Sequence, residues 1–214
     1  KIDGTTESGT VCNYPGRTLK IQIAGSGAAA NGIIGLDTSI IVLGLSLTGF
    51  SGSAITITGG SGHEFRCNHV GLGPGDEDVT GNSTGIRLTG SPGANVGGPG
   101  PADRNVISDN GFGFVINDSS NLVNNGNYIG TTVDGSSARE NGYGIYGGGN
   151  SESSFLANVI VSSSAGIYLG RNQSGRVIES NSCNYAANGV SPSGSNTAPG
   201  IGIFVLDSQV STGH

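Results

Sequence analysis

The sequence predicts a right-handed parallel β-helix, a solenoid in which short strands stack coil upon coil. Three observations predict it: 41 glycines in a chain of 214 residues, an apolar share of only 34%, and a short unit that recurs along the chain. Glycine suits tight turns because it tolerates positive φ, and so small an apolar share is thin for a globular core of this length. No apolar pattern at 3.6-residue spacing persists, which excludes a helical solenoid.

The recurring unit reads small residue, apolar residue, any residue, apolar residue. It begins at Gly32, Ala54, Gly85, Gly113, Gly144, Gly166 and Gly202. The intervals between these leading residues are 22, 31, 28, 31, 22 and 36 residues. Such spacing indicates a basic coil near 22 residues with insertions in some coils.

Two further repeats lie between these units. Residues 104–110 resemble residues 157–163, with a looser copy at 176–181, and residues 68–71 are echoed by 127–130. Each unit is a few residues of strand bounded by turn residues. Strands so short are stable only when paired with copies above and below, at about 4.8 Å. We therefore expect three strand zones in each coil and about seven coils.

The expected organisation is one β-helix domain over residues 1–214. Residues 1–31 form its N-terminal edge and first coil, residues 32–206 the repeat coils, and residues 207–214 a tail. The net charge is −6 and the nine Lys and Arg are scattered, which argues against a nucleic-acid partner. No apolar run reaches the roughly 18 residues of a membrane helix.

Three segments carry a resemblance to a known family. They are Ile-Asp-Gly-Thr-Thr at 2–6, Arg-Asn-Val-Ile-Ser at 104–108, and Asn-Tyr-Ile-Gly-Thr-Thr-Val-Asp-Gly at 127–135, which Glu-Asn-Gly follows at 140–142. These resemble the right-handed parallel β-helix repeat proteins, and more narrowly the large secreted bacterial repeat proteins that carry such segments upstream of adhesion modules. The resemblance implies the fold and an extracellular or cell-surface location. It says less about function, because the family includes lyases, hydrolases and adhesins.

The middle residues of the recurring unit should point outward, and we call them the outward stripe. The stripe consists of Ile34, Thr56, Arg87, Val115, Tyr146, Tyr168 and Phe204. Its last four members, Val115, Tyr146, Tyr168 and Phe204, are apolar or aromatic and are the predicted binding residues. Exposed apolar patches usually mark contact surfaces. The partner would be a sugar ring or a neighbouring protein module, unless an insertion or the tail covers the stripe.

An enzymatic alternative rests on Arg66, His69 and Arg87. If the coil register brings them together, they could bind a uronate or abstract a proton, as in pectate-lyase-like members of the family. The polygalacturonase-like members show paired aspartates and a Gly-His-Gly element, from which Gly-His-Glu at 62–64 departs.

The acidic run Asp76, Glu77 and Asp78 is a candidate Ca²⁺ site, since Ca²⁺ takes six to eight oxygen ligands. A solvated loop tip is the more common explanation of such a run. No other cofactor is expected.

Asparagine and cysteine both have structural explanations. Asn105, Asn110, Asn127, Asn158 and Asn181 stand beside strand units and predict stacked amide ladders. The three cysteines, Cys12, Cys67 and Cys183, leave at least one unpaired. Cys67 and Cys183 stand in equivalent places about four coils apart, which is too far for a disulfide. We expect both to be small buried apolar residues.

These patterns favour a non-catalytic rod module of an extracellular adhesin or fibre. It would self-associate, contact neighbouring modules or bind polysaccharide through the outward stripe. A polysaccharide lyase or glycoside hydrolase acting on acidic polysaccharide is the alternative.

Overall fold

The structure is a computed structural model that describes residues 1–14, 16–28, 30–149, 152–170, 175–184 and 201–206. Within these ranges the chain forms 21 β-strands and no helix. The described part of the chain therefore offers no helix that could cross a membrane. The strands form three parallel sheets of seven, in which each strand pairs with the strand three places along the chain. The protein is a three-sided right-handed parallel β-helix of seven coils, as predicted.

Each coil gives one strand to each sheet. Sheet 1 contains β1 (Ile2–Asp3), β4 (Ile41–Leu43), β7 (Glu64–Arg66), β10 (Asn95–Gly97), β13 (Val123–Asn125), β16 (Ser154–Leu156) and β19 (Val177–Glu179). Sheet 2 contains β2 (Ile21–Ala24), β5 (Leu45–Thr48), β8 (His69–Val70), β11 (Val106–Ile107), β14 (Tyr128–Ile129), β17 (Val159–Ile160) and β20 (Ser182–Cys183). Sheet 3 contains β3 (Ile33–Leu36), β6 (Ser53–Thr58), β9 (Thr84–Thr89), β12 (Phe112–Asn117), β15 (Asn141–Gly148), β18 (Ser162–Leu169) and β21 (Ile201–Val205).

The recurring unit identified in the sequence is sheet 3, and its seven copies stack in register. The residue that follows each leading residue points inward and forms one continuous column. That column is Ile33, Ile55, Ile86, Phe114, Ile145, Ile167 and Ile203. The first six are at most 8% exposed and belong to the apolar core that fills the rod.

The leading residue of each unit must be small because the next coil lies against it. A Cβ atom added at Gly85 would stand 2.5 Å from the carbonyl oxygen of Gly113, and one at Gly144 would stand 2.5 Å from that of Gly166. A side chain at either glycine would push adjacent coils apart, and the largest leading residue in the seven units is Ala54. The stacking of coils therefore explains why each recurring unit begins with a small residue.

The prediction of two further repeats was wrong in detail. Residues 68–71, 104–110, 127–130 and 157–163 all contribute strands to sheet 2, so they are copies of a single repeat. The proposed copy at 176–181 holds β19 of sheet 1 instead, and the sheet 2 strand of that coil is β20. Sheet 1 was not recognised in the sequence because its strands share few residue types.

The predicted amide ladders are confirmed at the corners of the rod. Between sheets 1 and 2 the ladder consists of Asn68, Asn105, Asn127, Asn158 and Asn181, linked by side-chain bonds of 2.9 to 3.3 Å. A second ladder of Asn82, Asn110 and Asn141 joins sheets 2 and 3. Asn110 therefore belongs to a different corner from the other four predicted asparagines.

Insertions cover much of the outer face of sheet 2. Val106 and Leu72 are fully buried there against Val133, and Tyr128 packs beside them. Leu72 belongs to the loop after β8, and Val133 belongs to the loop after β14. The loop after β14 also contains an antiparallel β-bridge between Thr131 and Ala138. Sheet 2 is therefore largely closed to a partner.

The expectation for the cysteines was wrong for Cys67. Cys12 and Cys67 form a disulfide with Cα atoms 5.5 Å apart, which ties the N-terminal loop to the corner of the third coil. Cys183 is free. It pairs with Ile160, in the same column as Val70, so it is not the equivalent of Cys67. The alignment of Cys183 with Cys67 in the sequence was therefore three residues out of register.

Candidate functional site

The outward stripe is confirmed as a single column on the outer face of sheet 3. Strand pairing aligns Ile34, Thr56, Arg87, Val115, Tyr146, Tyr168 and Phe204 without a break. Their neighbours on either side along each strand point into the core, because successive residues of a strand face opposite sides. The stripe is the one feature on which the sequence and the structure agree residue by residue.

The structure corrects one member of the predicted binding set. Val115 is only 3% exposed, so it cannot be an accessible contact residue. It lies between Arg87 and Tyr146 in the stripe and beside Phe112, which faces outward from the same strand. Val115 supports the larger side chains around it.

Two aromatic residues that the sequence analysis missed join the stripe. Phe112 and Tyr143 form a second outward column: they pair with each other, and both rings contact the ring of Tyr146 on the outer face. Their rings stack with centroids 5.1 Å apart and planes 8° apart. The signal was present in the sequence as an aromatic residue three places before the stripe in two successive coils.

Tyr146, Tyr168 and Phe204 form the longer stack of the two. The centroids of Tyr146 and Tyr168 are 5.0 Å apart at 8°, and those of Tyr168 and Phe204 are 4.9 Å apart at 16°. Since ring atoms in contact approach to about 3.5 Å, the rings must be offset from one another. All three residues are partly exposed.

The two stacks meet almost at right angles. Tyr143 crosses Tyr146 at 73° and Tyr168 at 81°, and Phe112 crosses Tyr146 at 69°. Edge-to-face contact of this kind adds about 0.5–1.5 kcal/mol per pair beyond burial. We call the five residues of the two stacks the aromatic cluster: Phe112, Tyr143, Tyr146, Tyr168 and Phe204. Their packing fixes the ring positions before any partner binds.

A groove of about 570 Å³ runs beside the aromatic cluster. Its lining includes the aromatic side chains of Tyr146 and Tyr168, the polar side chains of Asn117 and Asp118, and the glycines at 147–149. Leu206 borders the groove from the C-terminal side. The predicted tail, residues 207–214, lies outside the described residues, so whether it covers the stripe stays a prediction.

The polar groups of the groove are free to bind a ligand. Within the described ranges, the Asn117 amide, the Asp118 carboxylate and the hydroxyls of Tyr146 and Tyr168 have no hydrogen-bond partner. Asp118 has a φ of +49°, a backbone conformation that Asp tolerates better than most residues. The turn that follows β12 thus holds two polar side chains at the groove.

A smaller cavity of about 140 Å³ continues the groove toward the N-terminal coils. It is lined by Arg87, Phe112, Val115, Asn117 and Tyr146, and it shares Asn117 and Tyr146 with the groove. The outer face of sheet 3 therefore carries one continuous surface, with a cation at one end and a carboxylate at the other.

Comparisons with known proteins provide no family for this chain. No protein-family model matches it, and searches of the curated proteins and of the solved structures found no match either. Its function is therefore argued from its own residues.

The predicted cluster of Arg66, His69 and Arg87 is not formed. Arg66 lies on sheet 1, His69 on sheet 2 and Arg87 on sheet 3, so the three strands face different directions. Arg66 makes ion pairs with Glu64 and Asp103 at 3.5 Å. The prediction failed because residues of one coil that are close along the chain can lie on different faces of the rod.

His69 is fully buried beneath the N-terminal loop. Arg17 Nε donates to His69 Nε2 at 3.0 Å, so Nδ1 must carry the ring proton, which it donates to the Gly73 carbonyl at 3.0 Å. Burial, and then the charge of Arg17, lower the pKa of His69 to about 3. The neutral imidazole is held in one tautomer and links the N-terminal loop to the loop after β8. Because it is fully buried, it cannot contact a polysaccharide.

Acid is therefore expected to weaken the fold through His69. The folded-state pKa lies below the ordinary value of 6.5, so the stabilising contribution of His69 is complete above pH 6.5 and is lost as pH falls toward 3. The loss should reach about 1.4 kcal/mol per pH unit. Chemical unfolding of the native chain and of His69→Gln between pH 7 and 4 measures it, and the variant should show the shallower pH dependence. Parallel curves would contradict the prediction.

The acidic run does not form a metal site. Asp78 pairs with Arg139 at 3.0 Å, Asp76 accepts from the backbone of Val133 at 3.3 Å, and Glu77 accepts from that of Gly75 at 2.7 Å. The described residues contain no group of three His, Cys, Asp or Glu side chains that could hold a metal ion. The three carboxylates hold the loop after β8 in place.

Proposed function

We propose that this chain is a non-catalytic, extracellular rod module that binds polysaccharide in the groove beside the aromatic cluster. The observation that carries the proposal is the groove itself. It joins partly uncovered aromatic rings to an unpartnered amide, an unpartnered carboxylate and two phenolic hydroxyls on one rigid sheet.

A sugar unit has the matching chemistry. Its ring carries apolar C–H groups on its faces and hydroxyl groups around its edge. The C–H groups would pack on the uncovered parts of Tyr146 and Tyr168, while the hydroxyls would bond to Asn117 and Asp118, which can donate and accept. Because the strands are paired on both sides, little freedom is lost on binding.

The size of the surface favours a sugar chain over a protein partner. A stable protein interface buries about 800 Å² on each side. Here Val115 is buried, and Tyr146, Tyr168 and Phe204 are each only partly exposed. A narrow groove with free polar groups fits a slender polymer better than a broad apolar interface.

Two observations support an extracellular location. The disulfide between Cys12 and Cys67 requires an oxidising environment to form and persist. The resemblance of residues 104–108 and 127–135 to secreted bacterial repeat proteins supports a place on the cell surface, as part of an adhesin or fibre.

The enzymatic alternative has lost its basis. Its three residues lie on three different sheets. A glycoside hydrolase needs two carboxylates that flank the bond, whereas the described lining of the groove supplies Asp118 alone.

The proposal is tested by replacing the walls of the groove. The double variant Tyr146→Ser and Tyr168→Ser should lower affinity for the bound polysaccharide by at least about tenfold, which corresponds to about 1.4 kcal/mol. Binding is measured by affinity electrophoresis over a panel of neutral and acidic polysaccharides, followed by calorimetry on those retained.

Tyr14 provides the matched control, because it is exposed on the N-terminal loop away from the groove. Tyr14→Ser should bind as the native chain does. If no polysaccharide is retained, or if the double variant binds normally while folded, the proposal fails. Concentration-dependent self-association that the double variant abolishes would assign the surface to a protein contact instead.

A further inference from the structure

Arg87 is the cation at the groove that lacks a carboxylate partner. Its Nη2 donates to the Thr84 hydroxyl at 3.2 Å, and within the described ranges it forms no ion pair. Arg66 and Arg139, by contrast, are each paired with two carboxylates. The guanidinium of Arg87 therefore keeps most of its donors for a ligand.

The position of Arg87 ties it to the groove. It pairs with Val115 on the adjacent strand, and it lines the smaller cavity together with Asn117 and Tyr146. Those last two residues also line the groove. A chain lying over Tyr146 would thus reach Arg87 without leaving the surface.

We infer that the polysaccharide is acidic, with a carboxylate or sulfate group of one sugar unit bound by Arg87 while the next unit packs against Tyr146 and Tyr168. This inference rests on the proposed function and names its ligand class. A guanidinium presents paired N–H donors that match the oxygens of a carboxylate or sulfate.

The carboxylate of Asp118, at the other end of this surface from Arg87, determines the direction in which the polysaccharide lies. Asp118 is one strand and three residues away from Arg87, or roughly 11 Å from strand spacing and rise. Asp118 repels an anionic group and accepts from hydroxyls. The acidic unit therefore lies at the Arg87 end, and the hydroxyls of the next unit, which packs against Tyr146 and Tyr168, lie at Asp118.

The net charge of the protein bears on how large the effect of removing Arg87 should be. A net charge of −6 disfavours anionic polymers in general. Retention of an acidic polymer would therefore come from a local contact, and removal of the single charge of Arg87 should have a large effect.

The experiment compares each acidic polymer with its own neutral form. Polygalacturonate, alginate and hyaluronate are tested as free acids and after reduction of the carboxyl groups, and a sulfated galactan is tested with its desulfated form. The native chain should bind at least one acidic form at least about tenfold more tightly than its neutral counterpart. Arg87→Gln should lower affinity for that acidic form by at least about tenfold and so remove the difference between the two forms, whereas Arg66→Gln should leave both affinities as they are in the native chain.

The outcomes separate the two proposals. If neutral forms bind as tightly as acidic ones, or if Arg87→Gln weakens both equally, the inference is overturned and polysaccharide binding stands. If no form of any polymer binds, the proposed function fails and this inference fails with it. Preference for carboxylate over sulfate, or the reverse, identifies which acidic group Arg87 binds.

Discussion

Replacing Asn127 by leucine is expected to lower the free energy of unfolding by about 4 kcal/mol. Asn127 Oδ1 accepts from the backbone and side-chain amides of Asn105 at 3.0 and 2.9 Å. Its Nδ2 donates to the Val96 carbonyl and to Asn124 Oδ1, both at 2.9 Å. Leucine would remove all four bonds, and each buried group that is left without a partner costs about 1–3 kcal/mol.

Asn95 is the matched control for this prediction, because it is an asparagine on a neighbouring strand whose side chain is only partly buried. Asn95→Leu should change the free energy of unfolding by less than about 0.5 kcal/mol. The comparison uses denaturant unfolding of the native chain and both variants. Equal losses at the two positions would show that the buried ladder adds nothing special to stability.

Removal of the disulfide is the second large effect. Cys12→Ala should cost up to about 4 kcal/mol, because the bond closes a loop across 55 residues of chain and thereby restricts the unfolded state. The half-buried position 12 is the better one to change, since Cys67 is buried and has a φ of +58°. The N-terminal loop should also open, because the disulfide fastens it beside the bond from Arg17 to His69.

Thermal unfolding measures the stability loss, and amide hydrogen exchange at Thr18 and Leu19 measures the opening of the loop, since both amides bond to backbone carbonyls. Cys183→Ala should leave the exchange of both amides unchanged, because that cysteine is free and lies on the last coil. An unchanged exchange rate in Cys12→Ala would mean that the loop is held by its other contacts alone.

The outward stripe was predictable because it depends on two local rules. The close approach of adjacent coils requires a small residue at the start of each unit, and alternation along a strand fixes which residue points outward. Both rules leave a mark in the sequence, so counting from the leading residue placed Tyr146, Tyr168 and Phe204 correctly. Phe112 and Tyr143 lie three residues before the stripe on their strands, and the sequence analysis missed them.

Distances around the rod were not predictable in the same way. The predicted cluster of Arg66, His69 and Arg87 required residues of one coil to share a surface. The coil turns a corner after Arg66 and another after His69, so the three residues lie on three faces of the rod. The pairing of Cys12 with Cys67 depends on how a 55-residue stretch folds back. No local spacing encodes that path.

The sequence by itself determined the solenoid, its seven coils and the residues that point outward on sheet 3, because repeats and strand alternation are local properties. Only the tertiary structure decided which insertions cover which sheet, which asparagines stack together and how the aromatic rings tilt. These depend on contacts between residues 20 to 60 positions apart, whose packing is settled only when the whole rod is assembled.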